Sequence, residues 1–169
     1  MIRIDAIWLA VAPLDMRAGM DTALARVITV FGAAQPHHAW MADLTYIATA
    51  QGWLYLAVIM DLASRRIVGW SMSERMKAGL VCQALRSAYG QCRPLAGLIL
   101  HSDQGSQYAS RAYRSLATDF GIQVSMSRRA NAWDNAAMES FFKTLKVERI
   151  YQGRYETREQ ARLDIVEWI

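Results

Sequence analysis

Asp43, Asp103 and Glu139 stand out among the acidic residues for the motifs around them and the intervals between them. They sit in Trp40-Met-Ala-Asp-Leu-Thr-Tyr-Ile47, His101-Ser-Asp-Gln-Gly-Ser-Gln-Tyr108 and Asn131-Ala-Trp-Asp-Asn-Ala-Ala-Met-Glu-Ser-Phe-Phe142. Fifty-nine residues separate the two aspartates, and thirty-five separate Asp103 from Glu139. Carboxylates are hard oxygen donors of the kind Mg²⁺ prefers. In-line displacement at a phosphodiester uses two divalent ions roughly 3.5–4 Å apart, one side activating the attacking oxygen and the other stabilising the leaving one. Three acids brought together would suit that chemistry. In a chain with 15 acidic residues such a pattern taken alone is more often incidental, with turn-forming aspartates at strand ends and a solvated helical glutamate, so the surrounding residues have to decide.

The secondary structure that would hold these acids is legible in the periodicity. Residues 43–49 and 53–62 read as strands around a Gln51-Gly52 turn, and 66–72 as a third strand, together an antiparallel meander. Leu80, Val81, Ala84, Leu85 and Ala88 form a helical stripe, followed past Pro94 and Gly97 by a short buried strand at 98–100, so Asp103 falls just past a strand end. Ser110 can cap a helix running to Phe120 with Gly121 as its stop, and 122–126 is a fifth strand. Asn135 or Asp134 caps the helix that carries Glu139, and Thr157-Arg-Glu-Gln160 is a capping-box pattern opening a last helix. The order is three strands, helix, strand, helix, strand, helix, helix.

Residues 40–169 resemble the catalytic core of insertion-sequence transposases of family three, which is similar in fold and chemistry to retroviral integrases. Besides the acids with their D(35)E spacing, the resemblance rests on Gly52-Trp-Leu-Tyr-Leu-Ala57, Asp61-Leu-Ala-Ser-Arg-Arg-Ile-Val-Gly-Trp70, Ser125-Met-Ser-Arg128 and Thr144-Leu-Lys-Val-Glu148. It implies an α/β, ribonuclease H-like fold with a mixed five-stranded sheet flanked by helices, matching the element order. It also implies that Asp43 and Asp103 meet beyond strand ends, that Glu139 joins them from a helix, and that the three hold two Mg²⁺ ions, with Mn²⁺ able to substitute. Carboxylates so grouped repel one another, so without metal at least one should have a raised pKa.

Residues 1–39 read differently. Met1-Ile-Arg-Ile-Asp-Ala-Ile-Trp-Leu-Ala10, Pro13-Leu-Asp-Met-Arg-Ala-Gly19 and 23–31 resemble the opening third of a small accessory protein of insertion-sequence family sixty-six. Within them Asp21 is a plausible N-cap, with Leu24, Val27, Ile28 and Phe31 at helical spacing and Gly32 as stop. The expected organisation is a fragment of an unrelated protein at 1–39 fused near Pro36-His-His-Ala-Trp40 to a core at 40–169 that is truncated at its C-terminus, where relatives continue through a basic tail.

DNA contacts are expected around the acids. Lys143 and Lys146 lie four and seven residues beyond Glu139, hence on one helical face; they either hold DNA phosphates, as the resemblance implies, or form a solvated pair balanced by the glutamate. Ser102, Gln104, Gly105, Ser106, Gln107 and Tyr108 make a polar loop suited to phosphate or base contacts, or simply to turn capping. Arg128, Arg129, Asn131, Trp133, Asp134 and Asn135 combine charge, an aromatic and flexibility, the ingredients for gripping an unpaired strand. Members of the family often carry Gly or Tyr where Ala130 and Trp133 stand. His101 reads as structural, and Trp53, Tyr55 and Trp70 as core or sheet-face residues.

Composition bounds these expectations. The 169 residues, 53% hydrophobic and 20% charged, fit one ordinary soluble domain, and a net charge of +4 is compatible with a polyanionic partner without demanding one. Cys82 and Cys92 have neither finger spacing nor a disulfide framework, which suits a reduced cytoplasm. No stretch approaches the length of a membrane span. The expected function is therefore DNA strand cleavage at an element's end and transfer of the freed 3′-hydroxyl to another phosphodiester, at the bacterial nucleoid and by a homo-oligomer assembled on element ends and target DNA. Water and then the 3′-hydroxyl would be the nucleophiles, with no covalent protein–DNA intermediate. The rival from another class is a decayed fusion remnant that binds DNA or transposase subunits without catalysis. A cellular ribonuclease H or junction nuclease of the same fold is a third reading, to be separated by comparing cleavage of DNA ends with cleavage of RNA–DNA hybrids.

Overall fold

The computed structural model describes residues 37–126 and 136–169, and the division of the chain falls between Pro36 and His37. The helix read within 21–31 and the residues Arg128, Arg129, Asn131, Trp133, Asp134 and Asn135 lie outside the described residues. The described elements run β1 (Ala39–Thr49), β2 (Gly52–Asp61), β3 (Ile67–Ser73), α1 (Ala78–Cys92), β4 (Ile99–Ser102), α2 (Arg111–Asp119), β5 (Gln123–Met126), α3 (Ala136–Glu148), a 3₁₀ turn (Ile150–Gln152) and α4 (Arg158–Trp168). The sheet order is β3-β2-β1-β4-β5, with β1, β2 and β3 antiparallel and β4 parallel to both β1 and β5. This is the mixed five-stranded α/β sheet expected from the element order.

Alternation along the central strands builds a core on each face. Trp40, Ala42, Ala57, Ile59 and Leu100 pack with Leu85, Ala88 and Tyr113 of α1 and α2. Met41, Ile47, Leu54, Leu56 and Val58 pack with Met138, Phe142, Leu145 and Ile165 of α3 and α4. A strand covered on both sides needs apolar residues at consecutive positions, which is why 54–60 of β2 is an unbroken apolar run. The caps behave as read: Ser110 Oγ accepts from Tyr113 N at 3.3 Å, and Thr157 Oγ1 accepts from Gln160 N at 3.1 Å. The Gln160 side chain reaches back to accept from Glu156 N at 3.0 Å, one residue earlier than a standard capping box.

β1 begins at Ala39, four residues earlier than its periodicity suggests, because Ala39 to Ala42 pair with β4 and Trp40 is buried in the core. The turn after β2 is organised by Asp61, which accepts from Ala63 N and Ser64 Oγ, both at 2.9 Å, and also pairs with His37 Nδ1. Burial alone would raise the Asp61 pKa, but these hydrogen bonds outweigh it and hold it below the ordinary value.

β3 and α1 pack closely at Gly69. A Cβ on Gly69 would stand 2.5 Å from Ala88 N and 2.6 Å from Ala84 O, both backbone atoms that cannot swing aside. Gly69→Ala should therefore destabilise the protein by about 2–3 kcal/mol, seen as a lower urea midpoint, since an inserted methyl must push strand and helix apart. Gly79→Ala, where a Cβ meets open space in the first turn of the same helix, should be neutral or stabilise by a few tenths of a kcal/mol. Equal effects at the two positions would contradict the close β3–α1 contact.

Candidate active site

Strand register brings the first two acids together. β1 and β4 are parallel, and their pairing ends at Ala42↔Ser102, so the next residues are Asp43, which lies within β1 rather than beyond its end as expected, and Asp103, just past the end of β4. Adjacent strands lie about 4.8 Å apart, which sets these two residues side by side where the pairing ends. Beyond that point β1 loses its β4 partner, and the released Leu44 N–H donates to Asp43 Oδ1 at 2.7 Å. Asp103 turns its own loop: Gly105 N–H donates to Asp103 Oδ1 at 2.9 Å. A Cβ on Gly105 would come within 2.9 Å of the same oxygen, so glycine there keeps the carboxylate in place.

Helix α3 supplies the third acid. Ala137, Met138, Phe142 and Leu145 bury one stripe against the sheet, which leaves Glu139, Lys143 and Lys146 along the flank, spaced four and three residues apart. Glu139 lies in the helix's first turn, where the N-terminal end of the dipole favours negative charge. Asp43, Glu139, Lys143 and Lys146 line one groove of about 410 Å³, together with Thr45, Tyr46 and Tyr151 among others. Asp103 is not on that groove's wall, but its charge is felt at Asp43. Burial pushes the Asp43 pKa up to about 6; Asp103 and Glu139 add to the rise, and the Leu44 N–H and the Lys146 ammonium work against it. One acid is thus raised by burial and by the other two, the direction expected of grouped carboxylates.

Among the described residues no three His, Cys, Asp or Glu side chains stand close enough together to hold a metal ion between them. The donor chemistry nonetheless suits a divalent cation. The three groups are hard carboxylates, and a cation beside the half-buried Asp43 would offset the desolvation cost of ionising it.

The loop after Asp103 divides into exposed residues and residues tied into the fold. Gln104 and Ser106 are exposed, and Gln107 Nε2 donates to Met76 O at 3.3 Å, which ties the loop to the segment before α1 rather than to the groove. Tyr108 corrects the expectation of a polar contact residue. It is 1% exposed, edge-on to Tyr113 at 5.2 Å, because its ring fills the core beneath the loop. His101 is buried with Nδ1 3.2 Å from Ser125 Oγ across the β4–β5 pair, the structural use expected of it. Trp53 takes the sheet face rather than the core: it stands at the hairpin end of β2 and is 49% exposed, as is its neighbour Tyr46 at 55%. Tyr46, Thr45 and Tyr151 are among the groove residues that sequence reasoning missed. Tyr46 stands in the Asp43 motif, but strand periodicity says only which face a residue takes, not whether a helix covers it.

The integrase core domain family matches residues 33–132, and a second integrase core domain match covers 120–169. The transposase for insertion sequence element IS904 of Lactococcus lactis subsp. lactis (strain IL1403) is 51% identical over 140 residues, covering 83% of this chain and 55% of that protein. Transposase InsF for insertion sequence IS3A of Escherichia coli (strain K12) is 42% identical over 139 residues, covering 82% of this chain and 48% of that one. This chain spans about half the length of these relatives. The HTLV-2 integrase catalytic core domain in complex with magnesium, in its dimeric form, shares the fold with a TM-score of 0.53 and 20% identity, covering 67% of this chain and 70% of that one. Two acids one step past the last β1–β4 pair, a third acid on the covering helix and a match over more than half of the sequence lead to one conclusion: this chain belongs to the integrase core domain family.

Proposed function

We propose that this chain carries the catalytic core of a transposase, which cleaves a DNA strand and transfers the freed 3′-hydroxyl to a second phosphodiester. The observation that carries the reading is the position of Asp43 and Asp103 one step past the last β1–β4 pair, with Glu139 lining the same groove as Asp43. Asp43, Asp103 and Glu139 would hold two divalent ions, Mg²⁺ or Mn²⁺. Bound there, the ions would lower the pKa of the attacking hydroxyl and stabilise charge on the leaving oxygen. The chain itself supplies position and field. Lys143 and Lys146 draw a phosphate into the groove, β1 carries Asp43 and the end of β4 sets Asp103 beside it, and the desolvated surround of Asp43 strengthens electrostatic interactions made there.

The identity with insertion-sequence transposases, and the magnesium in complex with the HTLV-2 integrase core, support this choice of reaction and ion. That integrase core has a dimeric form, which supports a homo-oligomer; its assembly on element ends and target DNA at the bacterial nucleoid in the cytoplasm is part of the same proposal. Among the described residues no helix is long and apolar enough to cross a membrane. The test is cleavage and strand transfer of end-labelled DNA with Mg²⁺, with Mn²⁺ and with chelator, using RNA–DNA hybrid as the competing substrate. Metal-dependent nicking and joining of DNA is expected; cleavage of the hybrid alone would overturn the transposase reading.

The lysines give a separate prediction. Replacing Lys143 and Lys146 together by Ala should weaken DNA binding for every sequence and reduce the log–log salt slope by up to about two, as expected when two phosphate contacts disappear. Fluorescence anisotropy at several salt concentrations measures it. An unchanged slope would leave the pair as solvated surface.

A further inference from the structure

Beside the acids the sheet presents aromatic surface that phosphodiester chemistry does not require. Tyr46 and Trp53 lie on adjacent strands, where Tyr46 pairs with Tyr55 and Ala48 with Trp53, so both side chains stand on one face. Their rings meet edge-to-face, 4.9 Å apart at 82°, yet about half of each residue is exposed. Aromatics in the middle strands of a sheet are ordinarily covered, because leaving them in water forgoes a large burial energy. This pair is also rigidly mounted. Thr49 Oγ1 donates to Gly52 O at 2.6 Å across the hairpin tip, and Ala50 N donates to Tyr155 O at 2.9 Å. Arg158 Nε donates to Trp53 O at 3.2 Å while its guanidinium pairs with Glu74 at 3.2 Å. The backbone under the rings is therefore held from both the turn and α4, and a ligand meeting them would find little left to order.

The pair is continuous with the groove. Tyr46 lines the groove that holds Asp43, and Lys146 Nζ, from the same wall, stands 5.5 Å from the Tyr46 ring centroid. Resting on the DNA strand-transfer reading above, we propose that Tyr46 and Trp53 form a stacking platform for an unpaired base of the DNA whose phosphates lie in the acid-lined groove. Aromatic faces beside a cation-lined track are the combination that grips single strands, each stacked base contributing about 1–3 kcal/mol. A protein partner suits the site less well, because two rings flanked by exposed Ala48 and Gln51 offer far less apolar surface than a stable protein interface needs. The platform would favour DNA ends whose strands are already parted. It would thereby help present a single strand to the acids.

The full-length chain tests this with labelled duplexes that are either blunt or carry a short unpaired overhang, compared by fluorescence anisotropy. Wild type should prefer the overhang. Tyr46→Ala and Trp53→Ala should each weaken overhang binding by about 5- to 100-fold, with blunt-duplex binding of Trp53→Ala, which lies off the groove, changed by less than about twofold, and Tyr46→Phe should keep the wild-type preference. Both side chains are half exposed, so matching thermal midpoints are expected and confine the effect to binding. Ala variants that bind both DNAs like wild type, or lose both equally, would overturn the platform. Loss of self-association by sedimentation with the overhang preference intact would overturn it too, assigning the rings to a contact between copies. If the platform alone is wrong, wild type still cleaves DNA with metal and Glu139→Gln does not; if wild type binds neither DNA and cleaves none, both proposals fall.

Discussion

Glu139→Gln is expected to lower metal-dependent DNA cleavage and strand transfer by at least about a hundredfold while leaving the fold untouched. Glu139 is exposed on the flank of α3, whose packing against the sheet is done by Ala137, Met138, Phe142 and Leu145. Glutamine keeps the shape and the helix but removes the charge that Asp43 feels and that would ligate the cation. Thermal unfolding should therefore stay within about 0.5 kcal/mol of wild type, as for other surface changes away from packed features. DNA binding through Lys143 and Lys146 should survive, so the loss should fall on turnover rather than on affinity. Single-turnover assays on end-labelled DNA separate the two. Near-wild-type turnover in Glu139→Gln would refute the assigned third acid.

Asp43→Asn should abolish catalysis and, without metal, stabilise the protein at neutral pH. The Asp43 pKa of about 6 lies above its ordinary 3.8, so the folded chain holds this proton more tightly than the unfolded one. Below about pH 4 both states are protonated and the group has no effect. Between about 4 and 6 the unfolded chain releases the proton first, so stability from this group falls as pH rises, and above about 6 the loss is complete. The full shift corresponds to a loss on the order of 1–3 kcal/mol. Asparagine cannot ionise, so the difference in stability between variant and wild type should be small at about pH 4 and grow through about pH 6. Mg²⁺ or Mn²⁺ should raise the wild-type melting temperature at about pH 7.5 and leave Asp43→Asn unmoved, with the wild-type response fading as protons compete below about pH 6. Urea melts across this pH range, with and without metal, measure both effects. A variant less stable than wild type at neutral pH, or an equal metal response in the two, would refute this account of Asp43.

Much of the fold is legible in the sequence because its elements announce themselves locally. Ser110 and Thr157 cap where their side chains can accept an orphan N–H, Gly121 stops α2 with φ +67°, and Gly52 turns the β1–β2 hairpin with φ +102°. Local reading fails where pairing partners are remote in sequence. Ala39 belongs to β1 because Ile99, sixty residues later, offers it a parallel neighbour and Leu62 N–H donates to its carbonyl at 3.0 Å, and no local propensity records either. Tyr108 escapes it for a similar reason, since its polar motif carries no mark of the core that waits beneath the loop.

At the site, the chemistry is already written in the order of the amino acids: three carboxylates at a particular spacing, two lysines in phase with the third, and neighbouring motifs specific enough to imply a family. Those are properties of residue type and helical period, which need no tertiary context. The company these residues keep is a different matter. The parallel register that stops at Ala42↔Ser102 sets Asp43 beside Asp103, and burial there pushes Asp43 to about 6 while Glu139 remains exposed. The same geometry leaves Tyr46 and Trp53 uncovered and turns Gln107 toward Met76. Exposure, register and desolvation arise from elements far apart in the chain meeting in space, and for that reason they become readable only once the sheet and its covering helices are assembled.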